Sequence, residues 1–382
     1  MYYITVKQSP MYRQMTLEEL FGFTEITQPT VTNLNTSNTR TYAAEKISNQ
    51  FLEKFDIQTL INRLAGFNNH YKDLRDKPRE SLYDTFFIPK KSGGLRRIDA
   101  PCDELMKALK ELKEMFENDF HALYHTTAFA YVKKRSTVMA VERHQKNESK
   151  WFGKYDLSNF FGSSTPEFVI RMLEMIFPFS EVLKSDYGRK ELTTALELGF
   201  LNGGLPQGTP LSPTLTNIIM IPIDYTLSKE LRDHNKQSFV YTRYADDFLV
   251  SSKYTFSFRD IEKLIVDTLK HFGAPFTINS KKTRYGSSAG SNWNLGVMLN
   301  KDNKLTVGHK KKRQFRAMLT NYVLDRQNGV LWDKHDVQIM EGYRNYYTMV
   351  EGREPIEAIV NHVGSKYNVN VVKMIKEDLR RI

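Results

Sequence analysis

Two kinds of hydrophobic pattern alternate along the chain from about residue 82 onward. Runs of aromatic and β-branched residues that end in turn residues predict strands. They cover residues 86–101, which form two predicted strands around a glycine turn, and residues 151–156, 239–244 and 248–250. Apolar positions at helical spacing predict helices at residues 43–64, 104–120, 136–144, 211–231 and 258–273. Thr165 followed by Pro166 predicts one further helix start.

Residue composition and hydrophobic pattern divide the chain into three regions. Residues 1–80 are mixed and polar, and they predict an N-terminal extension that is partly helical. Residues 81–300 carry most of the predicted strands and helices. Residues 301–382 open with a helical pattern rich in cations, HKKKRQFRAML, and predict a basic helical domain.

Composition and charge narrow the class of protein. Hydrophobic residues make up 40% of the 382 residues and aromatic residues 12%, which is typical of a globular chain. The net charge of +11 predicts an anionic partner, and both nucleic acid and a membrane surface fit basicity alone. Residues 301–382 hold 16 Lys and Arg against 10 Asp and Glu, so the positive charge concentrates there.

Cellular location follows from what the sequence contains. A single cysteine, Cys102, rules out a disulfide framework and fits a reducing compartment. No run of about 18 apolar residues is present, and the first residues, MYYITVKQSPMYRQ, lack the pattern of a signal peptide. We therefore expect a cytoplasmic protein with no membrane partner.

The stretch YTRYADDFLVSS places Asp246 and Asp247 side by side between two predicted strands. A solvated turn is the ordinary explanation, because Asp suits turns. A two-residue hairpin turn, however, usually contains Asn-Gly or Asp-Gly, which supply positive φ. Ala245 precedes this acid pair instead. Turn chemistry therefore does not explain the pair, and a bound cation explains it better.

A third acid, Asp156, ends the strand predicted at residues 151–156, in the stretch KYDLSNFF. Alone it would be interpreted as a cap or turn residue. If its strand lies beside the hairpin at 239–250, the three carboxylates converge and repel one another unless cations hold them. Oxygen ligands suit Mg²⁺, with Mn²⁺ as the alternative ion. Two such ions about 3.5–4 Å apart serve phosphoryl transfer, so this constellation predicts polymerase or nuclease chemistry.

A third motif, GGLPQGTPLSP at residues 203–213, is punctuated by glycine and proline and leads into an apolar helix. An ordinary loop is the alternative interpretation. The stiff Pro206-Gln207-Gly208 turn would present backbone and amide groups to a base pair.

Taken in order, the motifs Asp-x-x-x-Phe-Phe, Leu-Pro-Gln-Gly-x-x-x-Ser-Pro and Tyr-Ala-Asp-Asp resemble the palm motifs of reverse transcriptases. IPKKSGGLRR resembles the fingers hairpin of that family, INSKKT the lysine motif that follows the palm acids, and NLGVML the primer-gripping hairpin. The resemblance implies an α+β right-hand polymerase. Its fingers and palm would occupy residues 81–300, with an antiparallel sheet carrying the acid triad, and its helical thumb residues 301–382.

The resemblance also implies a role for each matching residue. Asp156, Asp246 and Asp247 would be catalytic and, with the Leu157 carbonyl, would hold two Mg²⁺ ions. The residues implied to bind the nucleotide are Lys90, Arg96, Arg97, Asn159, Phe160, Phe161, Gln207, Gly208 and Lys282. The residues implied to bind nucleic acid are Leu205, Pro206, Tyr244, Gly296, Lys310, Lys311, Lys312, Arg313 and Arg316.

Ordinary roles compete with some of these assignments. A bulky ring at Phe161 would collide with a ribose 2′-OH and favour deoxynucleotides, whereas core packing is the alternative for both phenylalanines, above all Phe160. The cations of the fingers hairpin are equally explained as solvated side chains. His121, His125 and His144 show no metal-ligand spacing and are interpreted as structural.

The chain leaves no room after the thumb for an RNase H, integrase or nuclease-finger domain, which favours the compact bacterial enzymes. AFAYVKKRSTVMAVERHQ resembles the region before the first acid motif in retron and defence-associated (abortive-infection) reverse transcriptases. The Val-Thr-Gly triplet typical of retron thumbs is missing, and LGVMLN stands in its place. We therefore expect a defence-associated enzyme, with a retron or group II intron-derived enzyme as the alternative.

The implied partners are a structured non-coding RNA template, the DNA product and dNTPs. A homo-oligomer and an accessory effector protein stay open as further partners. Two other function classes also stay open from the sequence. A template-independent or protein-primed nucleotidyltransferase would use the same acids, whereas a non-catalytic RNA-binding module would gain nothing from three repelling carboxylates.

Overall fold

The structure is a computed structural model that describes residues 56–90, 93–120, 124–233, 238–288 and 296–380. The helix predicted at 43–64 and the extension at 1–80 lie largely outside the described residues. The described residues from 56 to 82 form helices α1 (Ile57–His70) and α2 (Lys72–Arg75) and a 3-10 turn, Arg79–Leu82. Asp56 begins α1 by accepting hydrogen bonds from the backbone N–H groups of Gln58 and Thr59.

A β-hairpin follows, as the sequence predicts. Strands β1 (Tyr83–Pro89) and β2 (Leu95–Pro101) pair antiparallel from Tyr83 opposite Pro101 to Pro89 opposite Leu95. Gly93 and Gly94 adopt φ values of +87° and +79° in the turn, a region that glycine occupies without a Cβ clash. The backbone N–H of Asp99 donates to the carbonyl of Gln207 at 2.8 Å, which ties the hairpin to the Pro-Gln-Gly loop.

A five-stranded antiparallel sheet lies at the centre of the fold. Its strands are β3 (Trp151–Ser158), β4 (Val240–Tyr244), β5 (Asp247–Ser252), β6 (Thr277–Ile278) and β7 (Arg284–Ser287). The order is β4-β5-β3-β6, and β7 also pairs with β3. The middle strand β3 is mostly buried, although its sequence WFGKYDLS includes Lys154 and Asp156.

Helices cover the sheet and fill the main core. They are α3 (Asp103–Asn118), α4 (Thr137–Lys146), α5 (Pro166–Leu173), α6 (Phe179–Val182), α7 (Asp186–Glu197), α8 (Leu211–Ile219), α9 (Ile221–Asp233) and α10 (Phe258–His271). Thr165 caps α5 and Pro166 is its first residue, as predicted.

One helix prediction was wrong in detail. The pattern at 211–231 predicts one long helix, but the structure breaks it between α8 and α9, after Ile219. Pro222 has no N–H to donate to the carbonyl of Ile218, so the helical hydrogen-bond pattern is interrupted at this point. The break matters because α9 carries Asp224 toward the sheet.

The C-terminal region has its own helical core. A small hairpin of β8 (Met298–Leu299) and β9 (Leu305–Thr306) leads into helices α11 (His309–Gln327), α12 (Lys334–Glu351), α13 (Arg353–Tyr367) and α14 (Val371–Arg380). This core extends to Val138 and Val141 of α4 and to Phe152 and Leu249 of the sheet. None of the helices in the described part of the chain is long and apolar enough to cross a membrane.

Candidate active site

The register of the sheet brings the three predicted acids together. Asp156, near the end of β3, lies directly opposite Asp247, the first residue of β5. Asp246 precedes it in the two-residue connection from β4, and its carbonyl accepts a hydrogen bond from the N–H of Leu157 at 3.0 Å. The sequence prediction that two strands must lie side by side to assemble the triad is therefore confirmed.

Burial and mutual repulsion show in the protonation behaviour of the triad. Burial, followed by the charges of Asp247 and Asp156, raises the pKa of Asp246 to about 6. Burial also raises the pKa of Asp156, against the opposing effect of Lys282. A group of carboxylates in this state favours any cation that can reach it.

Two lysines supply positive charge to the acids. Lys282 places its Nζ atom 3.1 and 3.0 Å from the two carboxylate oxygens of Asp156. Lys154 places its Nζ atom 2.6 Å from Oδ2 of Asp247. Lys282 is predicted from its motif to bind the nucleotide, whereas Lys154 was not predicted as a site residue. Its position two residues before Asp156 was the available signal, because alternate residues of a strand share a face.

The three acids have the chemistry to bind divalent ions, although two of them bond to Lys154 and Lys282 in this structure. Within the described residues, no three His, Cys, Asp or Glu side chains are placed as a ready metal cluster. Asp156, Asp246 and Asp247 nevertheless present the oxygen donors that Mg²⁺ prefers, and two of them already bind ammonium groups. These three residues would hold the metal once the lysine contacts are released. The Leu157 carbonyl as a fourth ligand stays a prediction.

A buried ion pair supports the loop that carries Asp246. Arg243 on β4 donates from Nε and Nη2 to the carboxylate of Asp224 at 2.9 and 2.8 Å, and both side chains are 0% exposed. Tyr241 donates to the same carboxylate at 2.8 Å. The Nη1 atom of Arg243 donates to the carbonyl of Ala245 at 3.1 Å. Ala245 has φ of +56°, which a non-glycine residue rarely adopts, so this contact holds a strained turn in place.

The residues predicted to bind the nucleotide divide into exposed and buried ones. Phe161 is half-buried, whereas Phe160 is 2% exposed and packs against Phe276 with ring centroids 5.0 Å apart. Phe160 therefore has the core role that the sequence left open. Asn159 is exposed with φ of +47°. Contact of Phe161 and Asn159 with a nucleotide stays a prediction.

The Pro-Gln-Gly loop lies against the fingers hairpin. Gln207 is partly exposed and Gly208 is exposed. Gly208 has φ of +121°, and a Cβ atom there would lie 2.8 Å from the carbonyl oxygen of Asp99. Leu205 and Pro206 are buried, so direct contact of these two with nucleic acid would require the loop to open.

The cations of the fingers hairpin point in different directions. Arg96 and Arg97 are adjacent on β2 and therefore face opposite sides. Arg97 donates to Oδ1 of Asp99 at 2.8 Å. Arg96 lies within electrostatic reach of Tyr131, and so does Asp246. Lys90 is exposed at the hairpin turn.

The predicted thumb residues also differ in their surroundings. Lys311 donates to the carbonyl of Gly296 at 3.1 Å, and Lys312 pairs with Glu351 at 2.8 Å. Three further predicted cations are exposed: Lys310, Arg313 and Arg316. A cleft of about 480 Å³ lies between α11 and α13, and it is lined by the cations Lys312, Arg313 and Arg316 together with His309 and His362. Tyr244 is half-buried beside Asp247 on the neighbouring strand.

Two of the three histidines interpreted as structural lie in the described part of the chain, and both are buried with hydroxyl partners. The ring nitrogens of His144 contact Ser251 Oγ at 2.5 Å and Thr242 Oγ1 at 2.8 Å. His125 Nδ1 contacts Thr127 Oγ1 at 2.8 Å. His121 lies outside the described residues.

A right-hand nucleic-acid polymerase has this combination of features: acids brought together by neighbouring antiparallel strands, a basic hairpin bonded to the Pro-Gln-Gly loop, and a helical C-terminal domain. The family model described as reverse transcriptase (RNA-dependent DNA polymerase) matches residues 88–316. The chain therefore belongs to the reverse transcriptase family, and it is an RNA-directed DNA polymerase.

Several of its relatives are bacterial retron enzymes. The chain is 28% identical to the retron Ec83 reverse transcriptase of Escherichia coli, over 84% of this chain and 97% of that protein. It is 29% identical to the retron Ec73 reverse transcriptase of Escherichia coli, over 76% of this chain and 88% of that protein. It is 26% identical to the retron Mx65 reverse transcriptase of Myxococcus xanthus, over 69% of this chain and 61% of that protein. The chain is thus retron-like, and the retron alternative of the sequence analysis has direct support.

Proposed function

We propose that this reverse transcriptase copies a dedicated, structured non-coding RNA into DNA by two-metal phosphoryl transfer. The observation that carries the proposal is the cross-strand pairing of Asp156 with Asp247, which puts Asp246 beside them. Two relatives are named as retron reverse transcriptases, and this similarity supports a dedicated RNA template. A defence role against phage is the biological part of the proposal.

Divalent ions, when bound by the triad, would neutralise the reacting phosphate oxygens and activate the attacking 3′ hydroxyl. Side chains of the protein would bind the triphosphate and the sugar of the nucleotide. Arg96 lies within electrostatic reach of Tyr131, as Asp246 does, and its guanidinium would bind the triphosphate of the incoming nucleotide. Lys282 is 54% exposed, so its ammonium group is free to move from Asp156 to a phosphate oxygen. Phe161 would contact the sugar and exclude a 2′-OH.

The helical thumb would hold the duplex. Lys310, Arg313 and Arg316 are exposed on one helix, α11, and cations at such positions bind phosphates without reading sequence. Lys311 and Lys312 instead bond Gly296 and Glu351, so we assign them to the attachment of the thumb helix first and to nucleic acid second.

The single cysteine supports a cytoplasmic location, since no disulfide is required for folding. Co-purification tests the remaining proposed partners, a second copy of the chain or an effector protein. Untemplated or protein-primed synthesis has no observation in its favour among the described residues.

Primer extension on a defined RNA template tests the metal and acid assignments. Wild-type protein should extend a DNA primer with dNTPs and Mg²⁺, Mn²⁺ should substitute, and chelation should stop synthesis. Asp156→Asn and Asp246→Asn should each abolish extension, whereas Asp260→Asn, an exposed acid on α10, should not. Full activity in either triad variant would contradict the assignment.

A phage challenge tests the biological part. Cells that carry the gene with its flanking DNA should plate phage less efficiently than cells that carry the Asp246→Asn gene. Equal plating across a broad phage panel would contradict the defence role and leave the polymerase assignment untouched.

A further inference from the structure

A segment that the palm motifs do not include reaches the acid site beside β4. The N–H of Arg243 donates to the carbonyl of Thr127 at 2.7 Å, and the N–H of Phe129 donates to the carbonyl of Arg243 at 2.9 Å. Ala128 and Arg243 thereby form a parallel bridge. Tyr131 follows Ala128 by three residues, and Asp246 follows Arg243 by three residues, so both leave the same bridge in the same direction.

The segment is fixed on its other side too. Asn217 of α8, fully buried, donates from Nδ2 to the carbonyl of Ala130 at 2.8 Å. Arg135 donates from Nη1 to the carbonyl of Ala128 at 2.6 Å. Ala128, Phe129 and Ala130 are at most 3% exposed. The backbone that leads to Tyr131 is therefore held by the core.

Tyr131 itself behaves differently from this buried segment. Its side chain is 55% exposed, and its φ is +59°. A bulky residue in the left-handed region is strained, and such residues concentrate at functional sites. Neither core packing nor turn chemistry calls for a tyrosine here, since the ring is outside the core and Gly or Asn would suit the φ better.

The ring lies among the residues assigned to the nucleotide. Its centroid is 6.5 Å from that of Phe161, in an edge-to-face arrangement at 68°. Burial raises the pKa of the Tyr131 hydroxyl, the charges of Asp246 and Tyr244 raise it further, and Arg96 opposes them. The Phe161 ring therefore contacts this exposed tyrosine, and Asp246 and Arg96 lie within electrostatic reach of it.

We propose that Tyr131 is a nucleotide-contacting residue that forms, together with Phe161, an aromatic pocket for the deoxyribose of the incoming dNTP. In this pocket the Tyr131 ring braces the Phe161 ring edge to face and closes the side that Phe161 leaves open. The inference deepens the proposed function and rests on its assignment of Phe161 to the sugar.

Steady-state kinetics of Tyr131→Ala on a defined RNA template test the proposal, with dGTP and GTP as competing substrates. Loss of one edge-to-face pair corresponds to roughly 3- to 10-fold in binding. We expect KM for dGTP to rise by that factor, kcat to change less, and the preference for dGTP over GTP to fall by a similar factor. Tyr131→Phe keeps the ring and should behave as wild type.

Controls separate contact from a structural role. Ala has the same difficulty as Tyr at positive φ, so the variant should melt like wild type. Tyr187→Ala removes a tyrosine that is 51% exposed on α7 and should leave sugar preference unchanged. In the double variant with Phe161→Ala, the loss of preference should be smaller than the product of the two single losses, because the rings act as a pair.

Each outcome has one meaning. If Tyr131→Ala keeps both KM and sugar preference while Phe161→Ala loses preference, the Tyr131 proposal is overturned and the function stands. If neither variant changes preference, the sugar pocket is wrongly placed and the proposal falls with it. If wild type makes no RNA-templated DNA, the proposed function itself is refuted.

Discussion

Removal of the charge of Asp246 should destroy catalysis and yet stabilise the metal-free protein. Burial and the charges of Asp247 and Asp156 raise the pKa of this carboxyl group to about 6. The folded state therefore binds its proton more tightly than the unfolded state, where an Asp has a pKa near 3.9. Stability from this group is present below pH ~4 and is lost as the pH rises through about 6.

The magnitude follows from the shift. A pKa raised from 3.8 to about 6 corresponds to about 3 kcal/mol of free energy of unfolding lost at neutral pH. Asn keeps the shape and removes the charge, so Asp246→Asn should recover about that amount. With roughly 2.1 cal/mol/K of unfolding entropy per residue, 382 residues give a rise in Tm of about 4 °C.

The assay is thermal unfolding in chelator at pH 7.5 and at pH 4.5. The variant should melt above wild type at pH 7.5, and the gap should close in acid as wild-type Asp246 becomes protonated. Excess Mg²⁺ should raise the Tm of wild type more than that of the variant. Asp247→Asn is the matched control: it leaves the Lys154 ammonium without its carboxylate partner, so it should not stabilise. A variant no more stable than wild type at pH 7.5, or a gap independent of pH, would refute the reasoning.

Three further outcomes follow from the described contacts. Arg243→Gln leaves the buried carboxylate of Asp224 unpaired and should cost about 3–5 kcal/mol, seen in denaturant unfolding, whereas unchanged stability would contradict the pairing. Gly208→Ala forces a Cβ atom against the Asp99 carbonyl, so limited proteolysis should show a loosened fingers hairpin, and wild-type resistance would count against that packing. Burial lowers the pKa of His144 to about 3, so folding loses stability as the pH falls below ~6.5; His144→Gln should lose less between pH 6.5 and 4, and an equal loss would argue against a buried neutral imidazole.

Local patterns predicted the parts of the site that depend on one or two strands. The run at 151–156 and the hairpin at 239–250 are strands in the structure, although β3 continues to Ser158, and the antiparallel register places Asp156 opposite Asp247. Glycines in the fingers turn, the Thr165 cap and the Pro166 start are equally local, and they also appear as predicted.

Contacts between segments that are far apart in the sequence could not be predicted from the spacing of residues along the chain. Arg243 bonds Asp224, which is 19 residues away in the sequence. The apolar pattern at 211–231 predicts one continuous helix, so it indicates neither the role of Asp224 nor the break at Pro222. Asp224, which stands between apolar residues in the middle of that pattern, was the available signal, since buried carboxylates are paired. Tyr131 reaches the site through a parallel bridge to β4, and no period in its own segment indicates that neighbour.

RNA-templated DNA synthesis by the purified protein tests the central claim most directly. The protein is isolated with whatever nucleic acid accompanies it, given Mg²⁺ and the four dNTPs, and both the bound RNA and the new DNA are sequenced, with Asp246→Asn prepared in parallel. The account predicts DNA complementary to one discrete bound RNA, made by wild type and not by the variant. DNA that matches no RNA in the preparation, or equal synthesis by the variant, would contradict it.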